Sequence, residues 1–197
     1  MAKVQVFHSK EPELIYNGFF KMRKYNLVVD TLDGKRKQNV VRELFDRGNS
    51  VAVLIYDPKL QKVLMIEQFL IGAYAAGIEE NAPLQVVAGM IDKGETPLEA
   101  ATREAAEETG ISNLNSVSAG PIFMPSPGGS SERIFTFLVE CDLSGVQTGF
   151  HGIESEHEDI KTIVMDVDEA IRLMDNGLIE NGLAVVLLQF LARNLKK

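Results

Sequence analysis

The 197-residue sequence has a single cysteine, fewer basic than acidic residues and no long apolar run, and each of these features excludes a class of protein. Its single cysteine, Cys141, excludes an intramolecular disulfide and is typical of a reducing compartment. Lys and Arg number 20 against 28 Asp and Glu, and this net charge of −8 argues against a nucleic-acid backbone or an anionic membrane surface as the main partner. The longest apolar run, 183–192, is interrupted by Gln189 and is too short to span a bilayer.

Other sequence signals are also absent. The opening Met-Ala-Lys-Val-Gln-Val-Phe-His lacks the apolar core of a signal peptide, so we expect a soluble cytoplasmic protein. Repeats and low-complexity segments are absent, and a hydrophobic content of 45% indicates a globular chain. Hydrophobic patterning predicts strands at 19–29, 40–45, 50–56, 62–67, 84–88, 117–123, 134–141 and 160–167, helices at 168–176 and 182–195, and a loop at 72–83.

Residues 89–111 carry the clearest local signals. Thr96 can cap a helix with Pro97 at its first position, and Glu99, three residues after the cap, completes a capping box. Gly110 suits the left-handed residue that ends a helix. We therefore predict a helix from about Pro97 to Thr109.

Three glutamates cluster on this predicted helix. Glu104 and Glu108 are four residues apart and stand side by side, with Glu107 just beyond them. Such carboxylates repel one another unless a cation lies between them, and hard oxygen ligands suit Mg²⁺ or Mn²⁺. Arg103 is placed to pair with Glu107. The alternative is an acidic helix face in contact with solvent.

The spacing of the whole stretch resembles the signature of the Nudix hydrolases. The matching positions are Gly89, Glu95, Arg103, Glu104, Glu107, Glu108, Gly110 and Ile111, and one departs slightly, because Ala105 is smaller than the usual aliphatic residue. The resemblance covers about residues 48–197 and implies an α/β fold, a Nudix α/β/α sandwich with a mixed sheet. It also implies hydrolysis of a nucleoside diphosphate linked to another group, with two or three Mg²⁺ ions, or Mn²⁺, as cofactors. The implied metal ligands are Glu104, Glu108 and the backbone carbonyl of Ala88, with Glu107 as a further ligand or orienting group and Arg103 beside it.

Beyond the signature, the chain is similar to the ADP-ribose pyrophosphatase branch. Pro127 lies sixteen positions after Ile111, within the loop 126–133. The loop 151–160 is similar to the branch's catalytic loop and implies Glu156 as the general base and Glu158 as a metal ligand. Read alone, this acidic loop is better explained by exposure to solvent than by catalysis.

Residues 1–47 are expected to form a small N-terminal antiparallel β lobe and 48–197 the hydrolase domain. In the branch that the chain resembles, the lobe swaps across a homodimer and contacts adenine and ribose. The residues carried over for substrate binding are Phe19, Arg42, Glu43, Gly128, Gly129 and Glu132. For Phe19 the alternative is an ordinary place in the core of the sheet. One departure is Leu70, where relatives commonly have an arginine that would face phosphate.

The resemblance therefore implies hydrolysis of ADP-ribose to AMP and ribose 5-phosphate, with a nucleoside diphosphate sugar as partner and neither nucleic acid nor membrane. GDP-mannose hydrolysis is the close alternative, since that branch shares Asp46-Arg47-Gly48-Asn49 and the Pro-Gly-Gly loop. Hydrolysis of oxidised nucleoside triphosphates fits less well, because those relatives lack such a lobe. An alternative of another class is a module that binds ADP-ribose without cleaving it.

Overall fold

A computed structural model of the chain describes residues 3–8, 10–112, 114 and 116–195, and of Glu156 only the backbone. The described residues divide into two compact units. The lobe unit comprises Met1–Asn49 and Met124–Arg133, and the core unit comprises Ser50–Phe123 and Ile134–Lys197.

The lobe unit is a four-stranded antiparallel sheet. Its strands are β1 (Val6–His8), β2 (Glu13–Asn17), β3 (Lys21–Asp30) and β4 (Lys37–Asp46). β3 and β4 form a hairpin around Asp33-Gly34, paired from Lys21 opposite Asp46 to Asp30 opposite Lys37. Gly34 has φ 68°, a left-handed conformation that glycine adopts without steric cost.

The segment 124–133 belongs to the lobe unit although it lies far away in sequence. The Phe45 amide donates to the Gly129 carbonyl at 2.8 Å, and Phe45 forms a parallel bridge with Ser130. The Arg133 amide donates to Asn49 Oδ1 at 3.0 Å. The segment 124–133 is therefore joined by hydrogen bonds to Phe45 of β4 and to Asn49 beyond its end.

The core unit consists of one mixed sheet and four helices. Its strands are β5 (Ser50–Asp57), β6 (Lys62–Gln68), β7 (Leu84–Gln85), β8 (Val87–Met90), β9 (Ser116–Ala119), β10 (Ile134–Glu140), β11 (Phe150–His151) and β12 (Ile160–Asp166). The helices are α1 (Ile71–Ala75), α2 (Pro97–Thr109), α3 (Val167–Asp175) and α4 (Gly182–Leu195). The strand order is β11-β12-β6-β5-β10-β9, with β7 beside β6 and β8 beside β5. β5 and β10 are parallel, which makes the sheet mixed.

Helices cover both faces of this sheet. Alternate residues of β5 point to opposite faces and enter two separate hydrophobic clusters. One cluster joins Val51, Val53 and Ile55 to the α2 alanines 100, 101 and 105, and the other joins Ala52 and Leu54 to the α4 leucines 187, 188 and 191. Ala105 is fully buried, with the larger Ile160 and Leu143 in the same cluster. The predicted α/β/α arrangement is confirmed.

Three of the segments predicted in the core unit differ in the structure. The predicted loop 72–83 begins with the short helix α1, whose sequence Ile-Gly-Ala-Tyr-Ala carries no side-chain cap to signal it. The predicted strand 84–88 is two strands, because β7 pairs with β6 whereas β8 pairs with β5. β9 ends at Ala119, and Pro121, two residues on, lacks the amide that a strand hydrogen bond needs. Among the described helices, none has the length and hydrophobicity needed to cross a bilayer.

Candidate active site

The capping interactions of α2 fix the orientation of its glutamates. Thr96 Oγ1 accepts a hydrogen bond from the Glu99 amide at 3.3 Å, and Glu99 Oε2 accepts one from the Thr96 amide at 2.8 Å. Gly110 ends the helix with φ 73°. The predicted bounds of this helix are confirmed, and both ends are held by local sequence.

Glu104 and Glu108 lie on the buried side of α2, against β8. They are only 8% and 2% exposed. The Ala88 amide donates to Glu108 Oε2 at 3.1 Å. A Cβ atom on Gly89 would overlap the Glu104 carboxylate. A side chain at position 89 would therefore force the Glu104 carboxylate to move, and the backbone of β8 is in direct contact with both acidic side chains.

Arg103 connects three acidic residues of the signature, which are Glu95, Glu104 and Glu107. Its Nε and Nη2 donate to the two oxygens of Glu95 at 3.0 and 3.1 Å, and Nη2 also donates to the Met90 carbonyl at 3.0 Å. Its Nη1 donates to Glu104 Oε1 at 2.8 Å and to Glu107 Oε2 at 3.0 Å. The pairing of Arg103 with Glu107 expected from their spacing is present. These bonds raise the pKa of Arg103, and the bond to Arg103 lowers the pKa of Glu95.

Burial disfavours the ionised forms of the two inner glutamates. It raises the pKa of Glu108 to about 9, and the neighbouring charge of Glu104 adds to the shift. Burial also raises the pKa of Glu104, although its ion pair with Arg103 opposes this. The charges of Glu107 and Glu158 raise both pKa values further. The site therefore concentrates more negative charge than its one arginine neutralises.

This donor set fits a divalent cation. Carboxylate oxygens beside a backbone carbonyl are the ligands that Mg²⁺ and Mn²⁺ prefer, and a cation would relieve the repulsion between Glu104 and Glu108. Among the described side chains, no three His, Cys, Asp or Glu residues form a preassembled cluster for a metal ion. The positive charge beside Glu104 and Glu107 is the Arg103 guanidinium.

The acidic loop before β12 lies at the C-terminal part of α2. The Gly152 amide donates to the Glu107 carbonyl at 3.3 Å, and the Ile153 amide donates to Glu158 Oε2 at 3.3 Å. Gly152 has φ 107°, and a Cβ atom there would come within 2.8 Å of Glu158 Cβ. The fold thus brings Glu158 close enough for its charge to act on Glu104 and Glu108.

Residues 154–156 of this loop form a single 3₁₀ turn. The backbone of Glu156 belongs to that turn, and its side chain lies outside the described part of the structure. Sequence reasoning had not singled out Gly152 by itself. A glycine directly after His151 in an acidic loop is the signal that could have pointed to a close backbone approach.

Residues predicted to contact the nucleoside lie in the lobe unit. Phe19 is 85% exposed and meets Phe20 edge-on at 4.7 Å, so the alternative that Phe19 is part of the sheet core is wrong. Arg42 and Glu43 are neighbouring exposed residues of β4. Arg42 Nη1 donates to the adjacent Val41 carbonyl at 2.8 Å.

The predicted sugar-binding residues belong to the same unit. A Cβ atom on either Gly128 or Gly129 would meet no other atom within 4 Å, so open space lies beside this backbone. Glu132 is 6% exposed and pairs with Arg47, whose Nη1 lies 3.5 Å from Glu132 Oε1. Sequence reasoning had not assigned a role to Arg47.

Leu70 lines a cavity of about 570 Å³ in the core unit. Its walls are largely aliphatic, and the charged residues among them are Glu67, Glu80 and Glu180. A separate cleft of about 300 Å³ is lined by Phe69, Phe150, His157 and Lys161, among others. Lys161 pairs with Glu67 at 2.8 Å. Position 70 therefore contributes an apolar surface where the sequence comparison led us to look for a cation.

Comparison with known proteins assigns the chain to a class. The model of the NUDIX domain matches residues 46–183, and the chain belongs to the Nudix family. The resemblance inferred from the signature is confirmed.

Several individual proteins are similar to this chain over most of its length. The ADP-ribose pyrophosphatase of Haemophilus influenzae is 37% identical over 98% of this chain and 92% of its own length. That of Escherichia coli (strain K12) is 36% identical over 91% of this chain and 84% of its own. The GDP-mannose pyrophosphatase of Pectobacterium atrosepticum is 34% identical over 91% and 90%. A crystal structure of an ADP compounds hydrolase shares the fold, with a TM-score of 0.72 and 18% identity over 98% of this chain and 95% of that one.

Replacing Glu108 by Gln should stabilise the metal-free protein at high pH. The pKa of Glu108 is about 9 in the folded state against an ordinary 4.5, so between these two pH values the folded chain keeps a proton that the unfolded chain has released. The contribution of Glu108 to the free energy of unfolding of the wild-type protein therefore falls as the pH rises across this range. Gln does not titrate and still accepts from the Ala88 amide. Thermal unfolding with a chelator should show the advantage of E108Q increasing between about pH 5 and pH 9.

Glu95→Gln provides a control of opposite sign. The bond to Arg103 lowers the pKa of Glu95 in the folded state. The contribution of the Glu95 carboxylate to stability is therefore present above the ordinary pKa of a glutamate, and it is lost as the pH falls through the lower pKa of the folded state. E95Q should therefore be less stable than wild type at neutral pH. A constant difference between E108Q and wild type across the whole range would contradict the assigned burial of the Glu108 charge.

Gly89→Ala should reduce hydrolysis by at least about 100-fold, since displacement of a reacting group by about 1 Å costs that much. The added methyl group would overlap the Glu104 carboxylate and displace it from Glu108. Gly72→Ala is the matched control, because its Cβ atom would meet nothing within 4 Å. Steady-state rates and melting temperatures of both variants test this. Normal turnover in G89A would show that the close contact with Glu104 is unimportant.

Proposed function

We propose that this chain is a Mg²⁺-dependent hydrolase that cleaves ADP-ribose to AMP and ribose 5-phosphate. The observation that carries the proposal is the buried pair Glu104 and Glu108 on a helix held against β8, in a chain that is 37% identical to an ADP-ribose pyrophosphatase. Buried carboxylates with raised pKa values suit a cation-dependent reaction of an anionic substrate.

The metal-binding residues in this proposal are Glu104, Glu108, Glu158 and the carbonyl of Ala88. When bound there, Mg²⁺ or Mn²⁺ neutralises charge on the pyrophosphate and lowers the pKa of a coordinated water. Arg103 has a positioning role, because it holds Glu104 and Glu107 through one nitrogen. Glu107 orients that arginine or serves as an additional ligand.

Glu156 is the proposed general base. In the reaction, the water oxygen forms a bond to one phosphorus atom, the bridging P–O bond breaks, and the water proton passes to the Glu156 carboxylate. The 3₁₀ turn at 154–156 presents this residue from the loop whose Gly152 amide is bonded to α2. A base in this position contributes a rate factor of roughly 10²–10⁴.

The lobe supplies substrate contacts in this proposal, with residues 1–47 as the lobe and 48–197 as the hydrolase domain. Exposed Phe19 stacks on the base, Arg42 and Glu43 contact base or ribose, and Gly128, Gly129 and Glu132 contact the sugar end. The protein acts as a cytoplasmic homodimer with exchanged lobes. Support for the dimer comes from apolar side chains left exposed on the lobe, which are Val6, Phe7, Leu14, Ile15, Tyr16 and Val41.

GDP-mannose hydrolysis is the second candidate. It is favoured by the 34% identity to a GDP-mannose pyrophosphatase over 91% of this chain. The two candidates share the metal site and differ in the base and sugar that the protein recognises.

A substrate panel separates these functions. The purified chain is incubated with Mg²⁺ and ADP-ribose, GDP-mannose, NADH or an oxidised dGTP, and the products are separated by chromatography. We expect AMP from ADP-ribose with the highest kcat/KM of the four. Release of GMP from GDP-mannose with no AMP from ADP-ribose would select the second candidate. Binding of ADP-ribose without turnover in Mg²⁺ and in Mn²⁺ would indicate a non-hydrolysing module.

Glu156→Gln should lower kcat by roughly 10²–10⁴ with little change in KM, because it removes the proton acceptor and leaves substrate contacts in place. Glu154→Gln, in the same turn, is the matched control and should retain most activity. Should E154Q lose turnover and E156Q keep it, the assignment of the base would move by two residues.

A further inference from the structure

The ring of His151, the last residue of β11, packs against two glycines. One is Gly110, which ends α2, and a Cβ atom there would come within 3.3 Å of His151 Cε1. The other is Gly149, where a Cβ atom would come within 3.0 Å of His151 Nε2. At both positions the nearest described atoms belong to the His151 ring. The ring therefore occupies the space that a side chain at either position would need.

The backbone that follows His151 is bonded to the same end of α2. The last four carbonyls of a helix have no hydrogen-bond partner inside the helix. In α2, one of these is the Glu107 carbonyl, and it accepts from the Gly152 amide at 3.3 Å. Packing of a side chain and a backbone hydrogen bond thus join residues 151 and 152 to the helix that carries the proposed metal ligands.

The other side of His151 is fixed to the sheet. The Thr162 amide donates to the Gly149 carbonyl at 3.0 Å, and the Gly149 amide donates to Thr162 Oγ1 at 3.0 Å. Thr162 is a buried residue of β12, and His151 itself lies opposite Ile160 of that strand. His151 therefore lies where the sheet, the end of α2 and the start of the acidic loop meet.

The loop 153–158 is closed on itself. The Ile153 amide donates to Glu158 Oε2 at 3.3 Å, and the Glu158 amide donates to the Ile153 carbonyl at 3.3 Å. A loop whose two ends are bonded together moves as a unit. Its position over α2 is consequently set where the loop is anchored, at residues 151 and 152.

We propose that His151 is a positioning residue for catalysis: its ring, packed against Gly110 and Gly149, holds the loop 153–158 at the end of α2. The loop in turn brings Glu156 and Glu158 to the carboxylates of that helix. This inference rests on the proposed function, because it takes Glu156 as the base and Glu158 as a metal ligand. His151 acts through the position of the loop and not by contact with the substrate.

Hydrogen exchange tests the anchoring without any substrate or metal. In His151→Ala, the amides of Gly152 and Ile153 should exchange at least about tenfold faster than in wild type, because the loop opens locally more often. The Thr162 amide lies in the neighbouring strand and should keep its protection. The rates are measured by NMR in the presence of a chelator.

Kinetics test the consequence for the reaction. H151A should lower kcat by about 100-fold, the effect of displacing a reacting group by about 1 Å. Its KM should stay within about threefold of wild type, because the proposed substrate contacts lie in the lobe unit. The assays are run well below the melting temperature of each variant, where a loss of stability alone leaves kcat unchanged.

Gly149→Ala displaces the ring without removing it. The added Cβ atom forces the ring to shift by a few tenths of an ångström, so kcat should fall by about threefold to tenfold. Gly145→Ala is the matched control, because its Cβ atom would meet nothing within 4 Å and neither glycine has a positive φ. In G149A/H151A no ring remains to be displaced, so kcat should equal that of H151A.

Four results would overturn the proposal. These are a wild-type kcat in H151A, a rise in its KM without a fall in kcat, unchanged exchange of the Gly152 and Ile153 amides, or multiplied effects in the double variant. Should H151A fail to fold, G149A is compared with G145A, and equal kcat in the two is contrary.

Failure of the proposed function is seen separately. If the wild-type chain releases no AMP from ADP-ribose, the proposed substrate is wrong. The exchange rates still decide whether His151 anchors the loop, and the kinetic comparison is then made with the panel substrate that the chain does cleave.

Discussion

The structure of the core unit depends on holding two carboxylates, Glu104 and Glu108, almost out of solvent. Burial and mutual repulsion both oppose ionisation, so this arrangement is stable only if the surrounding structure fixes it. The capping box fixes the start of α2, and the absence of a side chain at Gly89 lets β8 approach. Arg103 neutralises one of the two charges and connects it to Glu95. A cation between the two carboxylates would relieve this repulsion, which is why the proposed reaction is metal-dependent.

In the proposed function, the reaction and the recognition of the substrate depend on different groups of residues. The core unit provides concentrated negative charge on rigid elements, which suits a metal and says little about the organic part of a substrate. The lobe unit provides exposed Phe19, Arg47 over the ring of Phe20 and a loop with open glycine backbone. The relatives of this chain include proteins named for two different substrates, an ADP-ribose pyrophosphatase and a GDP-mannose pyrophosphatase.

Local signals predicted local structure well. The helix 97–109 followed from Thr96, Pro97 and Gly110, because caps act through contacts only a few residues apart. Helix α1 was missed because no side-chain cap marks its start. The division of residues 84–90 into two strands was missed because it depends on which strand lies alongside each half. The approach of Glu158 to α2 depends on the pairing of β11 with β12, which links the acidic loop to the sheet.

The sequence by itself determined the family and the class of reaction, because the signature is contained in one loop and one helix whose geometry is set by short-range interactions. Only the tertiary structure decided that Glu104 and Glu108 are buried, that Phe19 lies outside the sheet core and that Leu70 faces an apolar cavity. It also placed Arg47 beside Glu132, 85 positions further along the chain. Burial and long-range pairing arise from packing of the whole chain, and the spacing of residues in a sequence carries no direct record of them.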